Sequence, residues 1–387
     1  MVLRLLKNAH VYTPQSIGKK DILLAGGKIV EMKDSIDVSG VEVDVLDRSN
    51  TIVMPGLVDR HVHITGGGGE GGFASSTPEV QLSHVVESGI TTVVGLLGTN
   101  DVGRTSKSLL AKAKALREEG LNAYMLTGGY GYPSNTITGE VREDLLFIEE
   151  VLGLKLAIED HRSSYVTTEE LKRLASYVRV SSMLAKKKGF IHLHMGSGKG
   201  HYEQLYQILE ETDLPISLFS PTHVNRTFDL LEASVEFANR GGLVDITSNV
   251  GMKGNGKSLT PAESLIYLLD QEVSIDQITV SSDANGSLPV FDEGGQLTGM
   301  KVAGFEPTLE ALRTLIGDER ISVEDAIKPF TTNPAQGLGL SERGLLEEGS
   351  CADLLVLNEE NLSISDVIIN GVSFVHQGET VRKGTFE

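Results

Sequence analysis

The pair His61-Val62-His63 ends an apolar run, GLVDRHVHI, that predicts a buried strand. Side chains two residues apart on a strand point to the same side, so both imidazoles can face one point. Imidazole is a common zinc ligand, and two of them at this spacing indicate a metal site. The pair alone does not establish a metal site, because a single histidine in a strand is usually a core residue with its hydrogen bonds made inside the protein.

Four more residues of this kind lie in or at the end of later apolar runs. They are Lys155 in the fourth run, His194 in the fifth, His223 after the sixth and Asp283 after the eighth. Taken singly, Lys155 could be a lysine that extends its ammonium to solvent or forms an ion pair, and Asp283 could cap a helix. Four histidines and one aspartate at the ends of four different strands favour a metal site over these alternatives.

Eight apolar runs in the middle of the chain alternate with amphipathic helical patterns, which predicts a (β/α)8 TIM-like barrel over residues 56–340. Function in such a barrel gathers at the carboxyl ends of the strands. Helix signals include Gly120 after SKSLLAKAKALREE and a capping box formed by Thr167 and Glu170. An open doubly wound sheet is the alternative, but no GxGxxG or GxxxxGK[ST] segment supports a nucleotide-binding version.

Both ends of the chain predict short strands. Gly26-Gly27 and Asn370-Gly371 each separate two apolar runs, which is a hairpin signal. We therefore expect residues 1–55 and 341–387 to pair into one small β-sandwich domain beside the barrel.

The composition excludes several classes of partner. The 387 residues carry a formal net charge of −19, which disfavours binding to nucleic acid or to anionic membranes. A single cysteine, Cys351, rules out an intrachain disulfide and fits a reducing cytoplasm. The first residues, MVLRLLKNAHVYT, contain too short an apolar run for a signal peptide, so we expect a cytoplasmic protein.

The order HVH, Lys, His, His, Asp on strands one, four, five, six and eight resembles the amidohydrolase superfamily, over nearly the whole chain. PGLVDRHVH and GLLEEGSCADLLVL are also similar to that superfamily. Six further segments resemble more specifically its isoaspartyl dipeptidases: HVHITGGGGEGG, LTGGYGYP, LKLAIEDHRSS, HMGSGKG, PTHVNR and SSDANGS.

The resemblance implies two zinc ions per chain, each held by two histidines: His61 with His63, and His194 with His223. Lys155 would bridge them as N6-carboxylysine, since a cationic lysine cannot ligate two cations whereas a carbamate offers two anionic oxygens. Asp283 would ligate one ion and transfer protons. These donors suit zinc, with manganese or cobalt as alternatives. His192 shares a face with His194, but the later residue lies nearer the strand end, so His192 is assigned to barrel packing.

The same resemblance implies a set of substrate contacts. Glu70 would hold the α-ammonium, Arg162 and Arg226 would clamp a carboxylate, and Tyr130 would bind the developing oxyanion. Ser287 and Thr99 would complete the pocket. Surface ion pairs are the alternative for each arginine, and loop packing or a role for neighbouring Tyr132 is the alternative for Tyr130.

The implied function is a zinc-dependent hydrolase that cleaves the β-peptide bond of isoaspartyl dipeptides by attack of a hydroxide bridging the metals. Another amidohydrolase, such as a dihydroorotase or hydantoinase acting on a cyclic amide, is the alternative within this enzyme class. A non-catalytic scaffold is the alternative outside it. By analogy with the family we also expect a homo-oligomer, an octamer, whose only other partner is the small dipeptide substrate.

Overall fold

A computed structural model describes residues 3–250, 259–291 and 297–387. The middle of the chain forms eight parallel strands in sequential order, surrounded by helices. Both ends of the chain contribute to a separate sheet. The predicted (β/α)8 barrel with a small β domain is thereby confirmed.

The small sheet contains nine strands, joined in one continuous hydrogen-bonded array. Numbered along the chain, they are β1 (Arg4–Tyr12), β2 (Ser16–Ala25), β3 (Lys28–Lys33), β4 (Asp44–Asp47), β5 (Thr51–Pro55), β16 (Leu354–Asn358), β17 (Ile364–Ile369), β18 (Val372–His376) and β19 (Glu379–Thr380). Gly26-Gly27 and Asn370-Gly371 have positive φ and turn between β2 and β3 and between β17 and β18, which confirms both predicted hairpins.

The two ends of the chain meet where β5 pairs antiparallel with β16. A buried ion pair reinforces this junction: Arg48 NH2 lies 2.8 Å from Asp366 Oδ1, and the two residues are 318 positions apart. The small domain therefore depends on both segments.

The barrel strands are β6 (Leu57–Val62), β7 (Ile90–Gly95), β8 (Asn122–Gly128), β9 (Val151–Ile158), β10 (Ile191–Met195), β11 (Phe219–Thr222), β12 (Val244–Thr247) and β13 (Ile278–Ser281). A two-stranded hairpin follows, β14 (Ser287–Phe291) with β15 (Leu297–Val302). The ring closes just after β13, where Asp283 N donates to His61 O at 3.0 Å and His63 N donates to Ala284 O at 3.0 Å. Barrel closure thus brings Asp283 beside the His61-Val62-His63 segment.

Ten α-helices accompany the strands in the described part of the chain. They are α1 (Leu82–Val86), α2 (Ser106–Glu118), α3 (Val141–Phe147), α4 (Thr168–Ala185), α5 (Glu203–Glu211), α6 (Phe228–Asn239), α7 (Pro261–Asp270), α8 (Glu306–Ile316), α9 (Val323–Ile327) and α10 (Thr332–Leu338). The predicted capping box of Thr167 and Glu170 starts α4, and Gly120, with φ of 102°, follows α2. Across the described ranges, no helix combines the length and the apolar character needed to cross a membrane.

Candidate metal centre and substrate pocket

The six residues predicted as metal ligands come together at the carboxyl-terminal mouth of the barrel. Five of them are buried, and Asp283 is partly exposed. Asp283 Oδ1 lies 3.2 Å from His61 Nε2 and 3.0 Å from His63 Nε2. The imidazole ring centroid of His223 lies 4.8 Å from that of His61 and 4.7 Å from that of His194. The strand-end pattern therefore identified side chains that converge on one small volume.

Two of these residues have unusual backbone conformations. His223 and Asp283 have φ of 66° and 54°, in the left-handed region that residues with a Cβ seldom adopt. Such conformations are costly and cluster at functional sites, where the surrounding structure holds them. Here His223 follows β11 directly, Asp283 follows β13 after one intervening residue, and both side chains enter the barrel mouth.

Burial favours the metal-binding form of the histidines. It lowers the pKa of His61 to about 3 and holds the pKa values of His194 and His223 well below their usual range. Burial alone would raise the pKa of Asp283, but its interactions with His61 and His63 outweigh this and hold the pKa low. Neutral imidazoles beside an ionised carboxylate are the donor set that a divalent cation requires.

Lys155 lies in the interior of β9, and its register pairs it with Gly128 on one side and His192 on the other. Its Nζ is fully buried and has no hydrogen-bond partner among the described residues. Burial lowers the pKa of this amine to about 7. A buried amine without an anionic partner is costly, and this orphaned group beside three histidines fits a site completed by metal ions.

Three of the histidines each have one ring nitrogen engaged by another buried residue. His61 Nδ1 lies 3.0 Å from His192 Nε2, His194 Nε2 lies 2.8 Å from Asp160 Oδ2, and His223 Nδ1 lies 2.7 Å from Thr247 Oγ1. Outer partners of this kind fix the orientation and the tautomer of a metal-ligating imidazole. The candidate metal-binding atoms are the opposite nitrogens, His61 Nε2, His194 Nδ1 and His223 Nε2. His61 Nε2 contacts Asp283, and His194 Nδ1 contacts the Tyr130 hydroxyl.

Sequence reasoning missed these outer partners. The assignment of His192 to barrel packing was incomplete, because its ring contacts the imidazole of His61 directly. Its position two residues before His194 on β10 was the available signal. Asp160 and Thr247 also sit at strand ends, but an aspartate or threonine there has many roles, so only the structure distinguishes them.

Two groups of the described residues could hold a metal ion, with ligand atoms within 4.8 Å of one another: His61, His223 and Asp283, and His61, His192 and Asp245. The second group lies deeper in the barrel. The carboxylate of Asp245 already accepts hydrogen bonds from Thr222, Thr279 and Ser281, at 2.6–2.7 Å. Its oxygens are therefore committed to the barrel interior, and the first group is the better metal site.

A cavity of about 520 Å³ opens above this cluster. All six predicted substrate contacts line it: Glu70, Thr99, Tyr130, Arg162, Arg226 and Ser287. His63 and Asp283 also line it, so the candidate recognition residues and the candidate metal ligands share one pocket. Tyr132, the rival of Tyr130, is not among the lining residues that the structure describes.

The acid and the two arginines of this pocket are connected to one another. Thr99 Oγ1 donates to Glu70 Oε1 at 2.8 Å, and Arg162 NH1 lies 3.3 Å from the same oxygen. Asp160 accepts from Arg162 Nε at 2.9 Å and NH2 at 2.7 Å, and Arg226 NH1 lies 4.0 Å away. Asp160 therefore touches both the ligand candidate His194 and the arginine pair.

Two buried polar atoms of the pocket have no hydrogen-bond partner among the described residues and could bind a ligand. They are Arg226 Nε and Ser287 Oγ. The Tyr130 hydroxyl contacts His194 Nδ1, the nitrogen that faces the cavity. A polar ligand that accepted hydrogen bonds here would satisfy groups that are otherwise orphaned.

A larger groove of about 840 Å³ runs along the outside of the barrel beside α8. It shares Asn249 and Lys301 with the site cavity. None of the six candidate ligands, all of which the structure describes, lines this groove. Volume alone would favour the groove as the functional site, but the titratable groups that converge on the smaller cavity favour that cavity instead.

Comparison with known proteins places this geometry in a family. A model of the amidohydrolase family matches residues 52–374. The structure is similar to a β-aspartyl dipeptidase from Fervidobacterium islandicum AW-1 solved in complex with β-Asp-Leu dipeptide, with 37% identity, a TM-score of 0.90 and 98% of each chain covered. A dihydropyrimidinase from Brevibacillus agri NCHU1002 shares the fold, with 15% identity, a TM-score of 0.67, and 98% of this chain and 96% of that one covered.

Curated relatives that match over most of their length include several named dihydroorotase rather than dipeptidase. A dihydroorotase from Pediococcus pentosaceus is 24% identical over 415 aligned residues, which cover 97% of this chain and 95% of that protein. The family match spans most of the chain, and the 37% identical neighbour spans 98% of it. The chain therefore belongs to the amidohydrolase family, and its predicted resemblance to the isoaspartyl dipeptidases within that family is confirmed.

Proposed function

We propose that this chain is a two-zinc hydrolase that cleaves the β-peptide bond of isoaspartyl dipeptides. The observation that carries the proposal is one carboxylate and two arginines, Glu70, Arg162 and Arg226, in the same cavity as His63 and Asp283. A β-aspartyl peptide presents an ammonium and a carboxylate beside the scissile carbonyl. The pocket thus offers the charges that such a substrate needs next to the group that would react.

The metal ions would be held by two pairs of histidines, His61 with His63 and His194 with His223. Lys155, as N6-carboxylysine, would supply the bridging oxygens and Asp283 one further ligand. Two bound divalent cations provide an activated water nucleophile and polarise the scissile carbonyl. The orphaned Nζ of Lys155 supports the carbamate, because addition of CO2 with loss of one proton would replace an unpartnered buried amine by an anionic group that can ligate divalent cations.

Asp283 is positioned to move the proton. Its Oδ1 lies within 3.2 Å of both His61 Nε2 and His63 Nε2, and its side chain is partly open to the cavity. It would take a proton from the attacking water and return it to the leaving amine. The Tyr130 hydroxyl, whose pKa burial raises, stays protonated and would donate to the oxyanion that develops on the carbonyl.

Glu70 and the arginines would select the isoaspartyl group. Glu70 would accept from the α-ammonium, with Thr99 holding its carboxylate in place. Arg226, with its unpartnered Nε, and Arg162 would bind the α-carboxylate, and Ser287 Oγ would add a hydrogen bond. Arginine suits this role because its planar fork matches a carboxylate bidentately.

A dihydroorotase is the second candidate, favoured by the curated relatives at 22–24% identity. Such an enzyme would use the same metal-binding residues. Its cyclic substrate has a carboxylate but no ammonium, so it gives Glu70 no cationic partner. The acid in the pocket therefore favours the isoaspartyl substrate.

A substrate panel with metal analysis tests the proposal. Protein purified without chelators should contain about two metal ions per chain, hydrolyse β-Asp-Leu, and act weakly on α-Asp-Leu and dihydroorotate. Preferential ring opening of dihydroorotate would instead establish the second candidate. Folded protein that retains activity without metal would contradict the metal mechanism, and metal-loaded protein inactive on every substrate would contradict the assigned pocket.

A further inference from the structure

One wall of the site cavity lies outside the residues that would hold the isoaspartyl half of a substrate. It is formed by the hairpin of β14 and β15 and by the first residues after β12. Its lining residues are Asn249, Val250, Leu288 and Lys301. Leu288 and Lys301 are directly opposite each other in the hairpin register. Opposed residues project on the same face of an antiparallel pair, so both side chains border the cavity.

These four residues do not have equal capacity to bind a ligand. Asn249 Nδ2 donates to the backbone carbonyls of Ser282 and Gly304, both at 2.7 Å, so its donors are committed. Val250 and Leu288 offer apolar surface. Lys301 is exposed and takes part in none of the ion pairs formed among the described residues. The wall thus combines apolar surface with one available cation.

A count of charges indicates what this cation would bind. Around the isoaspartyl half of the pocket, Arg162 and Arg226 are balanced by Glu70, which lines the cavity, and by Asp160, which lies against both arginines. Asp283, the other lining carboxylate, belongs to the candidate metal centre. The ammonium and α-carboxylate of an isoaspartyl group add one charge of each sign, and this balance is kept. A dipeptide carries a second carboxylate on its leaving residue, and Lys301 is the remaining lining cation in the described part of the cavity.

We propose that Lys301, together with Leu288 and Val250, forms the subsite for the leaving residue and that its ammonium binds a carboxylate of that residue. This inference rests on the proposed dipeptidase function and names the group that the second half of the substrate presents. The carboxylate is either the chain terminus of the leaving residue or an acidic side chain on it.

The test uses full-length, metal-loaded protein and three substrates: β-Asp-Leu, β-Asp-leucinamide and β-Asp-Glu. Lys301→Met keeps the aliphatic stem and removes the charge. We expect it to raise KM for β-Asp-Leu about fivefold, as for a partly exposed ion pair, with kcat and metal content little changed. Lys301→Arg should restore KM. Lys107→Met, on exposed α2 away from the cavity, is the matched control and should leave KM unchanged.

The three substrates separate the sources of the carboxylate. If Lys301→Met raises KM for β-Asp-Leu and β-Asp-Glu but not for the amide, the carboxylate that binds Lys301 is the chain terminus. If KM rises for β-Asp-Glu alone, the carboxylate is that of an acidic side chain. An equal rise in KM for all three substrates, or a rise for none, overturns the subsite. The dipeptidase proposal stands in that case as long as the unaltered protein hydrolyses β-Asp-Leu. If the unaltered protein cleaves none of the three, the dipeptidase proposal itself fails and the subsite with it.

Discussion

The two ends of the pocket are built in different ways. At the candidate metal end, His61, Lys155 and His194 lie on barrel strands, where the register of the sheet fixes each backbone. The other three candidate ligands follow a barrel strand within two residues. At the recognition end, Glu70 and Arg162 lie on loops, where side-chain hydrogen bonds to Thr99 and Asp160 hold them. The first arrangement depends on the whole barrel, whereas the second depends on a few contacts at the surface.

Under the proposed function, this difference would separate the residues that carry the reaction from those that select the substrate. Loops on a rigid barrel can change without disturbing the strands that carry the reacting groups. Full-length relatives at 24% identity with another enzyme name are consistent with such a division. Substitutions at the metal end should therefore abolish activity on every substrate, and those at the recognition end should change which substrate is used.

The largest effect is expected at the metal end. Lys155→Ala should lower kcat/KM for β-Asp-Leu on the order of 10³-fold or more and reduce the metal content, because the proposed bridging oxygens are removed. Elemental analysis and kinetics measure both, and short carboxylic acids should partly restore them. Lys187→Ala is the control: its half-buried ammonium donates to backbone carbonyls, so it should lower stability while metal is retained. Full metal occupancy in Lys155→Ala would contradict the bridge.

At the recognition end, Glu70→Gln should lower kcat/KM for β-Asp-Leu about 10²-fold while metal content stays unchanged. Loss of the carboxylate removes the partner of the substrate ammonium, and misplacement by 1 Å can cost this much. Arg226→Met should act in the same direction. Glu79→Gln, an exposed carboxylate outside the site cavity, is the control. Equal activity of Glu70→Gln and the unaltered protein would remove Glu70 from the substrate contacts.

Asp160→Asn tests the residue that connects the two ends. Because Asp160 contacts both His194 and Arg162, we expect about a tenfold loss of metal affinity together with a raised KM. Titration with a chelator and steady-state kinetics measure the two effects separately. Asp318 binds Arg320 through the same pattern of backbone and guanidinium contacts at the surface, so Asp318→Asn is a closely matched control. If only KM changed, Asp160 would serve the recognition end alone.

The smallest effect is expected far from either end. Thr167→Ala removes the capping box of α4 and should lower the free energy of unfolding by about 1 kcal/mol. Because α4 contributes no predicted site residue, kcat/KM and metal content should not change. Denaturant unfolding of the metal-loaded protein measures the loss. A parallel loss of activity would show that the site depends on helix packing more closely than the comparison of its two ends implies.

Sequence periodicity predicted the barrel and the convergence of the candidate metal ligands for a physical reason. His61 and His63 share a face because strands alternate every two residues, and this holds wherever the strand lies. The hairpins at Gly26-Gly27 and Asn370-Gly371 depend on backbone conformations that glycine and asparagine adopt readily. Such features are local, so a single sequence contains them.

The partners of these residues could not be predicted in the same way. The contact between His61 and His192 crosses the barrel interior, and it depends on strand register and on both side-chain rotamers. The roles of Asp160 depend on a loop that folds back against β10 and toward Arg226. The candidate substrate contacts were predicted from resemblance to a family, since an acid and two arginines on separate loops have no spacing that predicts their meeting.

The junction of the two chain ends has a consequence for protein synthesis. Arg48 and Asp366, which form a buried ion pair, are 318 residues apart. A ribosome that adds about 5–20 residues per second would take roughly 15–60 s to deliver the second residue after the first. Throughout that interval β5 lacks β16, its partner strand, and exposes an unpaired edge that can join other chains. The nascent chain should therefore be most prone to aggregation, and most dependent on chaperones, until its last strands emerge.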